Sequence, residues 1–207
     1  MLFGLFRRPF ADTTFDLYGS IVAEARRPIY YTDYGVPDTV TARFDMIVLI
    51  MALVVRRLRA EPKPPAGARV VTGARATEPG ELARQLLDLF FTEMDRSLRE
   101  MGVGDVAVPK RIKKLASAWN GRVVAYDSAL DADDRPGLAA ALARNVYAGL
   151  DERPHAAALA EHVARLAALL APLPTADVLA GRISWPEPPT TAPPSPAPQS
   201  SAPRIEP

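Results

Sequence analysis

The sequence predicts an all-α protein: a compact bundle of about six main helices with a disordered, proline-rich C-terminal tail. Three observations carry that prediction. Apolar residues recur at helical spacing through most of the chain. Strand-like alternation is nowhere sustained, and its best candidate, 68–72, is too short to carry a sheet. Helix-start and helix-stop residues bracket the periodic stretches. Composition agrees, because 207 residues with 48% hydrophobic and 24% charged side chains suit one packed domain plus a tail.

The first helix is predicted over 13–26, with Thr13 or Thr14 as its cap, Asp16 in its first turn, and Phe15, Tyr18, Val22 and Ala25 on one face. Pro28 stops it. A second helix follows Pro37, capped by Asp38 or Thr39, and runs to about Arg59. Its centre, 46–55, is apolar in every side chain but is half the length a bilayer requires. Such a helix is either surrounded by its own domain or leaves one side facing a groove for an apolar partner. The stretch 61–80 holds several prolines and glycines and reads as a long surface loop.

The third helix, 81–101, presents Leu82, Leu86, Phe90, Met94, Leu98 and Met101 inward and pairs Arg84 with Asp88, Asp95 with Arg99 and Arg96 with Glu100 outside. Gly102 and Gly104 end it. A fourth begins near Pro109, where Ile112, Leu115, Trp119, Val123, Tyr126 and Leu130 make a continuous stripe. Lys110, Lys113 and Lys114 fall on the opposite side. Helices five (136–150) and six (154–171) bury Leu138, Leu142, Val146, Leu159, Val163, Leu166 and Leu170, with Asp133 and Asp134 as a helix-start signal.

Three segments result: an apolar and basic N-terminal stretch at 1–12, the helical domain at 13–185, and the tail at 186–207. The tail holds nine of the chain's 21 prolines and too little apolar surface to offset the entropy of ordering it. The N-terminal stretch lacks the order and length of a signal peptide; its aromatic residues either meet a membrane interface or pack on the domain.

Charge is balanced in total, at a formal +1, but uneven along the chain. Six basic residues face one acid between Arg56 and Arg75, and Lys110, Arg111, Lys113, Lys114 and Arg122 form a second cationic stretch. With no exposed aromatics between them, these residues allow phosphate contact without sequence-specific readout of nucleic acid. Such a patch is usually a plain solvated face; as a docking surface it suits a ribosome or an anionic membrane as well as nucleic acid.

Nothing in the sequence assembles a catalytic constellation. It holds no cysteine, no Walker A loop, no Gly-x-Ser-x-Gly elbow and no dinucleotide-binding glycine motif. Glu152 and His155 form half of a helical metal motif that Pro154 interrupts, so His155 and His162 are expected as surface histidines near a helix start. No metal or cofactor is expected, and the function class is binding.

Several strings are specific enough to identify. Tyr34-Gly35-Val36-Pro37-Asp38-Thr39, Arg43-Phe44-Asp45, the run from Asp95, Arg96 and Arg99 through Gly102 and Gly104 to Asp105, Lys113-Lys114, Gly121-Arg122, Tyr126-Asp127, Arg144-Asn145 and Gly181-Arg182-Ile183-Ser184-Trp185 resemble the ubiquinol–cytochrome c chaperone family. Trp119-Asn120 departs from the aromatic pair common there. The resemblance implies an assembly factor for respiratory complex III, without enzymatic activity, that holds newly synthesised cytochrome b. It implies a cytoplasmic position at the inner membrane of a bacterium, or the matrix side of a mitochondrion. Client-binding residues are then expected among Met46, Leu49, Ile50, Leu53, Phe90, Met94 and Trp119, with Lys110, Arg111, Lys113 and Lys114 docking the protein to a ribosome or the inner membrane. The alternative is a helical lipid- or quinone-binding protein, or an enzyme, with the same apolar interior closed into a cavity.

Overall fold

A computed structural model of the chain describes residues 10–60, 78–148, 150 and 155–190. Expectations for 1–9, for most of the 61–80 loop, for Glu152 and Pro154, and for 191–207 lie outside the described residues. Within them the fold is all-helical, without a strand: α1 (Ala11–Ala25), α2 (Pro28–Thr32), α3 (Val40–Arg59), α4 (Glu78–Glu100), α5 (Val108–Asp131), α6 (Arg135–Asn145), α7 (Ala156–Leu170) and α8 (Thr175–Leu179).

The apolar run of α3 becomes the axis of the bundle, because a helix greasy on every side must be enclosed. It packs against α1, α4, α5 and α7, and every residue from Asp45 to Val55 is buried. Thr39 caps it, accepting a hydrogen bond from the Ala42 amide at 3.2 Å, while Asp38 pairs with Arg43 instead. The three predicted ion pairs on α4 form at 2.7, 2.7 and 3.0 Å.

The structure corrects several expectations of detail. Neither Thr13 nor Thr14 caps α1: the helix begins earlier, after Phe10, and the Thr14 hydroxyl donates back to the Phe10 carbonyl at 2.7 Å. Pro28 ends α1 but also opens α2, since its fixed φ suits a first helical position. Helix five is shorter than predicted, giving way to turns after Asn145.

A further correction concerns charge. Arg56 reaches Asp127 and Asp131 at 3.2 and 2.5 Å, and the Arg57 guanidinium donates to the Leu173 carbonyl beyond the end of α7. The first cations of the basic stretch are therefore engaged inside the fold.

His162, expected at the surface, is buried, at 1% exposure. Its Nε2 lies 3.0 Å from the Tyr30 hydroxyl, which donates to the buried Glu24 carboxylate at 2.5 Å; Glu24 also pairs with Arg27 at 3.3 Å. Burial, with Arg165 and Arg27 adding to it, holds the His162 imidazole down at about 4. His155 packs against Gly35, whose φ of +62° and 2.8 Å clearance from the His155 ring to a built Cβ leave room only for glycine.

The chain returns to this region at its far end. Trp185 donates to Ser20 at 2.8 Å, Arg27 to the Pro186 carbonyl at 3.1 Å and Tyr34 to the Pro189 carbonyl at 3.0 Å, with Glu187 also paired to Arg27. The first residues of the proline-rich stretch thus lie along α1 and α2.

Candidate functional site

On another side of the first turns of α3 the enclosure is incomplete. Val40, Phe44 and Ile47 occupy successive helical positions on α3; Met94, Leu98 and Met101 do so along α4 and just past its end; Leu115 follows Arg111 by one turn on α5. These three stripes diverge around an open groove of about 500 Å³. Val40 is 67% and Met101 54% exposed, so the groove carries apolar surface that the fold leaves in water. Arg26, Arg43 and Arg111 edge it.

Its floor is rigid. Phe44 stacks on the buried Phe90 with centroids 5.6 Å apart, and Phe90 in turn contacts Phe91 at 5.2 Å and Trp119 at 5.9 Å. From the core side, the Arg122 guanidinium sits 6.0 Å from the Phe44 ring centre and reaches the buried Asp45 carboxylate at 2.7 Å. Burial raises the Asp45 carboxyl to about 6, against the pull of Arg122.

Of the seven expected client-binding residues, only Met94 lines the groove. Phe90 and Trp119 lie beneath its floor, and Met46, Leu49, Ile50 and Leu53 are buried core. The enclosing helices α1, α4, α5 and α7 take the surface that the apolar run of α3 alone left unassigned. Val40, Phe44, Ile47 and Leu115 were missed as lining residues; the available signal was a bulky apolar residue, Val40, directly after the Thr39 cap.

The expected docking residues are where sequence placed them. Lys110, Arg111, Lys113 and Lys114 are exposed on the first turns of α5, and among the described residues none has an ion-pair partner.

The motif residues separate into three structural clusters. Asp45, Arg122, Arg144 and Asn145 all act on the buried phenol of Tyr126, which burial pushes up to about 12. This cluster ties α3, α5 and α6 together. Asp95 and Asp105 both bind Arg99, Arg96 binds Glu100, and Gly102 turns the chain at φ +79°, so that Val103 donates to the Leu98 carbonyl at 3.0 Å. Gly104 continues that turn, its carbonyl accepting from Ala107 at 2.8 Å. Tyr34 belongs to the third, accepting at its carbonyl from Tyr147 at 2.7 Å beneath the returning C-terminal residues.

Among the described residues no three His, Asp or Glu side chains converge to hold a metal, and no helix is long and apolar enough to cross a membrane.

The chain is thus an all-helical domain with an open, apolar, cation-edged groove. Comparison with known proteins gives that class its family: residues 32–185 match the sequence pattern described as ubiquinol-cytochrome C chaperone, and the chain belongs to that family. It is similar to the crystal structure of the Cbp3 homolog from Brucella abortus, at 37% identity and a TM-score of 0.74, over 90% of this chain and 97% of that one. No curated protein matches the sequence.

Proposed function

We propose that the groove between α3, α4 and α5 holds an apolar segment of newly synthesised cytochrome b during assembly of ubiquinol–cytochrome c reductase, and that the protein performs no covalent chemistry. The observation that carries this reading is the exposed apolar groove itself. A quinone-binding enzyme needs a closed cavity with converging polar groups; this groove is open along one side and its cations stand at the edge. Each large apolar side chain seated in it gains about 1.5–3 kcal/mol, so two or three anchors gain roughly 3–9 kcal/mol, of the same order as the cost of association, and the hold is weak and releasable. That suits a chaperone that must surrender its client. Membership of the family supports a role in complex III assembly, and a protein in that role acts at the cytoplasmic side of a bacterial inner membrane, or on the matrix side of a mitochondrial one.

The test is a photo-crosslinking amino acid at Met101 or Val40 in cells making cytochrome b. The expected adduct is with cytochrome b, abolished by Phe44→Asp. Adducts only with unrelated proteins, or normal complex III content in a deletion strain, would overturn the reading.

A further inference from the structure

The turn joining α4 to α5 exposes more apolar surface than a solvated turn requires. Val106 is 96% exposed, at its tip, and Met101 is 54% exposed, at its start. Immediately after the tip come Lys110, Arg111, Lys113 and Lys114, all exposed. At 1.5 Å per helical residue, Lys114 stands about 12 Å from Val106 along the axis, and residues three and four apart share one side of the helix. The acids nearby are engaged: Asp95 and Asp105 by Arg99, and Glu100 by Arg96. Among the described residues none of the four cations has an ion-pair partner, and they project around the start of a helix that has no side-chain cap.

We propose that the α4–α5 turn docks the protein on an anionic lipid surface, with Val106 entering beneath the headgroups while Lys110, Arg111, Lys113 and Lys114 bind them. Cations alone would fit the phosphates of ribosomal RNA equally well. An isolated, fully exposed valine leading the cationic turn is what separates the two, since RNA offers it no apolar medium and a bilayer does. Gly102 and the Arg99 pairs hold the turn in shape. Arg111 and Met101 also line the groove, so docking brings the groove mouth to the membrane surface.

The experiment uses the full chain with vesicles of phosphatidylcholine alone or with a third of phosphatidylglycerol, at low and physiological salt. Binding is expected only to the anionic vesicles, and weaker as salt rises. Each basic residue at such a surface contributes roughly five-fold, so Lys110→Glu, Lys113→Glu and Lys114→Glu together should lose at least about 100-fold. Val106→Asp should weaken binding several-fold and leave its salt dependence intact. Val106→Trp gives a readout independent of the charge reversals: the fluorescence of the introduced indole should shift blue, and brominated lipid should quench it.

Equal binding to neutral vesicles, full retention by the triple variant, or Val106→Trp fluorescence unmoved by vesicles would overturn the proposal. So would salt-sensitive association with purified ribosomes, indifferent to Val106→Asp, in a protein that ignores vesicles. None of these outcomes bears on whether the groove holds cytochrome b, which the crosslink reads separately.

Discussion

The two ends of α3 are built on opposite rules. Around its middle and C-terminal half the fold commits every apolar side chain to enclosure. Around its first turns, Val40, Phe44 and Ile47 meet α4 and α5 over an open groove, and the lysines beyond it on α5 have no ion-pair partner among the described residues. One helix thus supplies the axis of the bundle and, a few turns away, the wall of a binding surface. Stability and function are separable along it.

The sharpest way to break that comparison is to cut matter from each end. Leu49→Ala, at 0% exposure, should cost about 2–5 kcal/mol of unfolding free energy by chemical denaturation. Val40→Ser at the groove should stay within about 0.5 kcal/mol while lowering cytochrome b crosslinking. A large stability loss at Val40 would show that the groove is structural.

Acid should act next, through His162. Its folded value of about 4 lies below the unfolded value near 6.5, so the unfolded state binds more protons between the two and stability falls as pH drops through that window. The loss approaches about 3 kcal/mol once both values are passed. Asp45 runs the other way, since a carboxyl raised to about 6 makes the folded state the better proton binder between roughly pH 4 and 6. His162→Phe should therefore flatten or reverse the acid slope of the melting temperature, and Asp45→Asn should steepen it; unchanged slopes would refute the assignment.

Tyr30→Phe is expected to be milder, at about 1–3 kcal/mol, because the Glu24 carboxylate keeps Arg27 after losing its phenol donor. The smallest effect should come from Arg96→Ala on the exposed face of α4, within the scatter of a melting curve.

The helical pattern was legible wherever local periodicity decides it. The stripe from Ile112 to Leu130 became α5, the four-apart charges of α4 paired as spaced, and Thr39 capped α3. The one-turn helices α2 and α8 were not legible, because five residues give no period to read. Nor was the burial of His162, whose partner Tyr30 is 132 residues away. The groove failed to emerge for the same reason: Met46 and Val40 look equally apolar in sequence, and only the placement of α1, α4, α5 and α7 decides which is covered.

The returning C-terminal residues bear on the order of events during synthesis. Ser20, Arg27 and Tyr34 receive their hydrogen-bond partners from Trp185, Pro186 and Pro189, which are among the last described residues of the chain. The opening helices consequently lack these bonds until Trp185 to Pro189 have been made. A copy cut before Trp185 leaves one flank of α1 and α2 without the strap that bonds it.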